Sequence, residues 1–424
     1  MKPAQERLEK MLTMLDMAVE ALKTTPGARE SERYYYEILR SFYRNIYNNY
    51  LSGEPIVHTG IFAPQELFKA MGIAPYSPEF DALLTIMMNP EEGMRFIDRG
   101  ETTGITKEVC SAHRMGLGLM AADLIPQPAV VVSSAAPCDV TNFTYEIYSK
   151  HYHCPAFLID TPYGYGDHQM EYHKRDIQSL VGFLEDNTGK RLDHRRLQEL
   201  IELSSLSYQY WDKINALRKN IPNPIKSKET TRDFAVTILG AGTPEALKFF
   251  EARYRELQEM VAQKKGVVPE EKYRITWLYV LPYFDLSIAD WMEEKYGAVI
   301  VVDLFSFASQ EVDMSDTCDP IAFLARKAYK GGLVKSAYGP YHDPSAKEDF
   351  MKMCTDYHSD AVIMLAHWGC KQYCGLAKLL WDDIKEEVGL PMLILDADIL
   401  DPRIVSSPRV KAKLDEFFTT IRQN

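Results

Sequence analysis

Seven cysteines are few for 424 residues, and their odd number and wide scatter exclude a disulfide framework. No stretch approaches the roughly 20 uninterrupted apolar residues that a membrane span needs, so no membrane association is expected. The opening segment, MKPAQERLEKMLTMLDMAVEALK, has charges throughout and no small-residue cleavage site. It reads as a helix and not a signal peptide, and the chain is expected to be soluble and cytoplasmic. An excess of cations is missing too. The 48 Lys and Arg stand against 60 Asp and Glu, and this net charge of -12 argues against a general nucleic-acid or anionic-membrane binder. A local basic pocket for one anionic ligand stays open.

Several catalytic signatures are also lacking. YGYGD (163–167) and MGLGLM (115–120) are rich in glycine, but neither is a phosphate loop ending in Gly-Lys-Ser/Thr, and neither follows a strand in dinucleotide-fingerprint spacing. Any ATP hydrolysis is therefore expected on another protein. The ten histidines show no HExxH or other paired metal spacing, and no GxSxG elbow occurs, so ordinary hydrolase readings lose ground.

What is present is an ordinary globular balance, 46% hydrophobic and 25% charged, over a length that suggests two or three domains. Leu8, Met11, Leu12, Leu15 and Leu22 recur at helical spacing, and a Tyr-rich segment, SERYYYEILRSFYRNIYNNY, follows. Residues 1–54 are thus expected to form an N-terminal helical segment, packed on the subunit itself in preference to serving as a dimerisation arm. Over 55–190 the pattern predicts a first α/β domain, in which AVVVSS (129–134) and AFLID (156–160) read as buried strands on either side of a helix. Residues 191–268 read as a helical connection with loop signals at IPNPIKSK and GAGTPE. Residues 269–424 read as a second α/β domain with strands ITWLYVLPY (275–283), AVIVVDLF (298–305), AVIMLAH (361–367) and PMLILDAD (391–398). The fold class is α/β, with two Rossmann-like or flavodoxin-like parallel-sheet domains, the N-terminal helical segment and the helical connection.

Three cysteines sit where such folds place ligands, beyond the carboxyl ends of strands or in comparable loops. Cys138 follows AVVVSS in SSAAPCD, Cys370 follows AVIMLAH in HWGCKQYCG, and Cys110 opens a helix in EVCSAHRMGLG. Thiolates on such loops can converge on one site, and soft thiolate ligation suits zinc or an iron–sulfur cluster. Three cysteines would leave one iron of a 4Fe–4S cube free for another ligand. The competing reading makes each an ordinary buried cysteine. Cys154, Cys318 and Cys354 read as packing residues. Cys374, four residues beyond Cys370, would face the same side of a helix starting there and is a candidate second thiol or alternative ligand.

Through GEPIVHTGIFAPQEL, EVCSAHRMGLG, PQPAVVVSSAAPCD, HCPAFLIDTPYG, EEKYRITW, HWGCKQYCG and LILDADILDPR, in that order, the chain resembles a family that includes 2-hydroxyacyl-CoA dehydratase subunits and the cluster-bearing subunits of ATP-dependent benzoyl-CoA reductase. The resemblance implies a 4Fe–4S cluster on Cys110, Cys138 and Cys370. It also implies a related second subunit in a heterodimer, an ATP-hydrolysing iron–sulfur activator and an acyl-CoA substrate dehydrated through a ketyl radical. Family subunits that bind substrate offer a small hydroxyl residue before the PQEL segment and a carboxylate shortly after it; Thr59 and Glu79 fit those places. A benzoyl-CoA reductase type, a single-chain double-cubane reductase with six cysteines and a non-catalytic electron relay are the alternatives. The double-cubane relative carries paired cysteines where this chain reads GGLVKSAYGPY (331–341).

Overall fold

The computed structural model describes residues 2–162, 166–307, 313–329 and 344–423. Two amphipathic helices, Pro3–Thr24 and Glu30–Ser52, come first, and they pack on one another. Leu8, Met11, Leu12 and Leu15 are buried in a core shared with Ile38, Phe42 and Ile46, while Leu22 is only half-buried. The apolar stripe of the first helix is thus spent inside the chain. Arg7 fixes the helix further by pairing with Asp81, which also accepts a hydrogen bond of 2.9 Å from Tyr43.

Two four-stranded sheets follow, parallel throughout. The first contains β1 (Ile56–Thr59), β2 (Ala74–Tyr76), β3 (Val130–Ser134) and β4 (Ala156–Ile159) in the order β2-β1-β3-β4. The second contains β5 (Tyr273–Leu278), β6 (Ala298–Asp303), β7 (Ala361–His367) and β8 (Met392–Ala397) in the order β6-β5-β7-β8. The α/β class with two parallel sheets is as the patterning predicts. Two differences have physical causes. AFLID reads as a buried strand, but β4 is an edge whose Ala156 and Leu158 are exposed. ITWLYVLPY is longer than its strand, because the chain leaves the sheet at Leu278 and Tyr279 adopts φ +82°.

In each sheet the chain reverses its direction of travel between the two central strands. β1 lies between β2 and β3, and β5 lies between β6 and β7. In open parallel sheets such switch points leave a crevice at the carboxyl ends of the central strands. The segments that leave those ends are Thr59–Ile61 and Ser134–Cys138 in one sheet, and Tyr279 and His367–Cys370 in the other.

The helices Pro78–Met88, Pro90–Glu101 and Ser111–Ala121 carry the core from one sheet toward the other. Their Ile86, Ile97 and Met115 are fully buried in a cluster with Trp277, Ile300 and Leu365 of the second sheet. Each fully buried side chain of this kind contributes on the order of 2 kcal/mol. The glycines of MGLG serve this packing. A Cβ on Gly118 would stand 1.9 Å from the Phe96 carbonyl oxygen, and one on Gly100 would stand 1.9 Å from that of Arg114. The two helices therefore meet backbone to backbone, which fixes the position of Cys110 at the head of the second.

Burial also makes the fold sensitive to acid. His58 on β1 is wholly buried, its Nε2 donates to the Pro126 carbonyl at 2.7 Å, and desolvation lowers its pKa to about 3. Between that value and the ~6.5 of an unfolded histidine, the unfolded chain binds a proton that the folded chain does not. Stability is therefore expected to fall as pH drops below about 6.5, by about 1.4 kcal/mol per pH unit for this residue. Thermal melts at pH 7.0 and 5.5 measure the slope. His58→Gln, which retains a donor, should flatten it, and an unchanged slope would shift the effect to other groups.

Candidate active site at the facing strand ends

The three cysteines singled out in the sequence border one cavity. Cys110 caps the helix Ser111–Ala121, Cys138 lies in the turn between β3 and the helix Thr141–Tyr152, and Cys370 caps the helix Lys371–Asp383. The cavity holds about 150 Å³, many times the ~15 Å³ that one water needs. Glycine permits a close backbone approach at this site. A Cβ on Gly369 would stand 2.4 Å from the Cys110 Cα, so only glycine lets the HWGC loop lie against that residue.

Burial raises the pKa of all three thiols; Cys110 is raised further by Asp398 and then by Cys370, and Cys138 by Cys370 and Cys110. Three thiolates here would repel one another in a dry setting, and a cationic centre is what relieves that, because a coordinating thiol gives up its proton outright. Among the described residues no three His, Cys, Asp or Glu groups are close enough to hold a single metal ion. A lone zinc draws every thiolate to ~2.3 Å from one centre. A polynuclear cluster binds each thiolate at a different iron, so a wider set of cysteines fits it better.

The surroundings of the thiols are specific. Tyr279 hydrogen-bonds to Cys370, and its ring lies 4.6 Å from that of Tyr373 and 5.9 Å from His367. His367, buried at the end of β7, brings Nε2 to 3.3 Å from Cys110 Sγ and Nδ1 to 3.7 Å from Asp398 Oδ2. Asp398, in LILDADILDPR, also accepts from Ser111 Oγ and from the backbone N–H groups of Leu400 and Asp401. The fully buried Arg114 pairs with Glu101, with Asp401 at 3.1 Å and with Asp398 at 3.5 Å. One polar network thus locks the helix behind Cys110 to the loop after β8.

Glu79 stands on the cavity wall, 7% exposed, near the start of the helix Pro78–Met88. Ser77 Oγ and Tyr145 Oη donate to its Oε2 at 2.8 and 2.6 Å. Its Oε1 faces His113 Nε2 at 3.5 Å, while His113 Nδ1 lies 2.9 Å from Thr144 Oγ1. Burial lowers the pKa of His113 and Glu79 opposes that shift. Thr59 stands just behind the wall. It is fully buried at the end of β1 with its hydroxyl 3.5 Å from the Gly60 carbonyl, and the next residues, Gly60 and Ile61, are part of the lining.

The other cysteines separate from this group. Cys354 is buried in the core behind the second sheet, Cys154 is half-buried against the first core, and Cys318 is exposed beside the start of the helix Pro320–Tyr329. Cys374 is exposed and donates to the His367 carbonyl at 3.1 Å. Cys374 N–H donates to the Cys370 carbonyl at 3.0 Å, one turn beyond that extended cap (φ -112°, ψ 93°), but Cys374 is not among the residues that line the cavity. The glycine-rich run 163–165 and the segment GGLVKSAYGPY lie outside the described residues. His113, Tyr279 and His367 are the site residues that sequence reasoning missed. Their signal was position alone: one helical turn after Cys110, one residue past β5, and the last residue of β7.

A benzoyl-CoA reductase subunit of Thauera aromatica is 23% identical over 420 residues, covering 91% of this chain and 93% of its own. The (R)-phenyllactyl-CoA dehydratase alpha subunit of Clostridium sporogenes is 23% identical over 373 residues, with 83% and 86% covered. The (R)-2-hydroxyisocaproyl-CoA dehydratase alpha subunit of Clostridioides difficile is 22% identical over 401 residues, with 89% and 93% covered. Each of these relatives is named as a subunit of its enzyme. No described helix is long and apolar enough to cross a membrane. The family model for 2-hydroxyglutaryl-CoA dehydratase, D-component, matches residues 60–421, and the chain belongs to that family.

Proposed function

We propose that the chain is the cluster-bearing subunit of an ATP-activated 2-hydroxyacyl-CoA dehydratase, which removes water from a 2-hydroxyacyl-CoA to give the 2-enoyl-CoA. The observation that carries the reading is that Cys110, Cys138 and Cys370 border the same cavity as the buried carboxylate of Glu79. Cys110, Cys138 and Cys370 would hold a 4Fe–4S cluster. When bound, such a cluster supplies single electrons at low potential and one iron open to a thioester oxygen.

The chain's own residues supply the rest. Electron entry at the thioester carbonyl makes the otherwise non-acidic β-hydrogen removable and lets the hydroxyl leave; the electron is then returned, so no net oxidation accompanies the loss of water. Glu79 is oriented for the proton steps, because Ser77 and Tyr145 occupy Oε2 and leave Oε1 toward His113. A buried carboxyl positioned in this way passes the proton lost from the β-carbon to the departing hydroxyl, which leaves as water, so no proton is left over. Thr59 supports the Gly60 turn from behind. His367 and Asp398 orient Cys110.

The near-complete coverage of the benzoyl-CoA reductase relative favours a second reading, in which the same site passes electrons to an aromatic acyl group that keeps them. An electron relay without substrate accounts less well for a cavity that reaches all three thiols. The deciding experiment assays the chain alone, then with a related subunit, then with an ATP-hydrolysing iron–sulfur activator, under strict anaerobiosis. Turnover of 2-hydroxyacyl-CoA is expected only in the complete mixture with ATP. Turnover by the isolated chain without ATP would contradict the proposal, and ATP-dependent ring reduction in place of dehydration would select the second reading.

A further inference from the structure

The cavity bordered by the three thiols is walled mostly by carbon. Tyr35 from the helix Glu30–Ser52, Phe62 after β1, Leu83 and Met87 from the helix Pro78–Met88, and Phe234 and Ile238 from the helix Thr230–Leu239 all line it. Met87 is 41% exposed, so the cavity reaches the surface along that helix. The wall is well supported. Phe234 stacks on Phe305 with ring centroids 4.1 Å apart and packs against both Phe62 and Trp211 at 6.5 Å. Glu79 is the only charged side chain on the lining among the described residues, and it is an acid.

From this lining we infer that the site takes a CoA thioester whose acyl part is uncharged and apolar, either branched aliphatic or aryl, and that it refuses an acyl chain ending in a second carboxylate. The inference rests on the acyl-CoA reading above and narrows it. A second carboxylate would exchange water for carbon walls without a cation among the described lining residues to offset the loss, and would share its wall with the Glu79 carboxylate. An apolar acyl group meets no such penalty, and each methylene seated in a hydrophobic pocket is worth roughly tenfold or more in discrimination. The aromatic side chains Phe62, Phe234 and Phe305 favour flat or branched groups that fill the space between rings.

Equilibrium binding of non-reacting thioesters to the anaerobically purified full chain tests the inference without turnover. The probes are 4-methylpentanoyl-CoA, 3-phenylpropanoyl-CoA, glutaryl-CoA and acetyl-CoA. The first two are expected to bind at least about tenfold more tightly than glutaryl-CoA, and more tightly than acetyl-CoA. Leu83→Arg, which brings a cation to the wall, is expected to narrow or reverse the preference over glutaryl-CoA. Equal or tighter binding of glutaryl-CoA by the unaltered chain would overturn the inference while leaving the acyl-CoA reading standing. Absence of binding by all four thioesters would overturn both.

Discussion

Exchanging any one of Cys110, Cys138 or Cys370 for alanine is expected to abolish iron retention, whereas Cys154→Ala and Cys374→Ala should leave the iron content at the level of the unaltered chain. The three positions reach the cavity from separate elements, two as helix caps and one in the turn after β3. Losing one thiolate therefore removes a whole anchoring element. Cys374, four residues beyond Cys370, hydrogen-bonds to the His367 carbonyl and does not line the cavity, and Cys154 packs against the first core. These two variants control for non-specific loss of iron on replacing a cysteine. Iron and sulfide analysis with the visible spectrum measures the result. Full iron in any of the first three variants would remove that cysteine from the proposed ligand set.

Glu79→Gln is expected to lower kcat of the reconstituted enzyme by about 10²–10⁴-fold, the usual contribution of a positioned acid or base. Glutamine matches the site unusually well. Its amide oxygen can accept the bonds that Ser77 and Tyr145 now give to Oε2, and its amide nitrogen can donate to His113 Nε2. The substitution thus leaves the buried network satisfied and removes only the capacity to take up and release a proton. Affinity for the thioester and iron content should stay close to those of the unaltered enzyme, which separates loss of chemistry from loss of structure. A kcat within threefold of the unaltered enzyme would exclude Glu79 from the proton steps.

Much of this arrangement is legible in the sequence because parallel sheets are buried on both faces. AVIMLAH is a continuous apolar run, and it coincides with β7 because every one of its residues is buried. β1 and β2 escape the same reading. They are four and three residues long, and β2 contains Pro75, tolerated because β2 is an edge strand. The cysteines were legible as loop residues able to converge on one site, while the cavity they border was not, since its lining comes from segments far apart in the chain. ITWLYVLPY misleads for the reason that matters to the site. Its apolar character continues beyond Leu278 because Tyr279, Val280 and Tyr283 line the cavity after the strand has ended. The glycine of HWGC carries no visible signal of its role until the Cys110 backbone is seen against it.

The central claim is that three cysteines of this chain hold one cubane cluster, and metal analysis of the anaerobically purified protein tests it most directly. About four irons and a matching amount of acid-labile sulfide per chain are expected, with a brown preparation. A colourless protein with stoichiometric zinc and no sulfide would contradict the account.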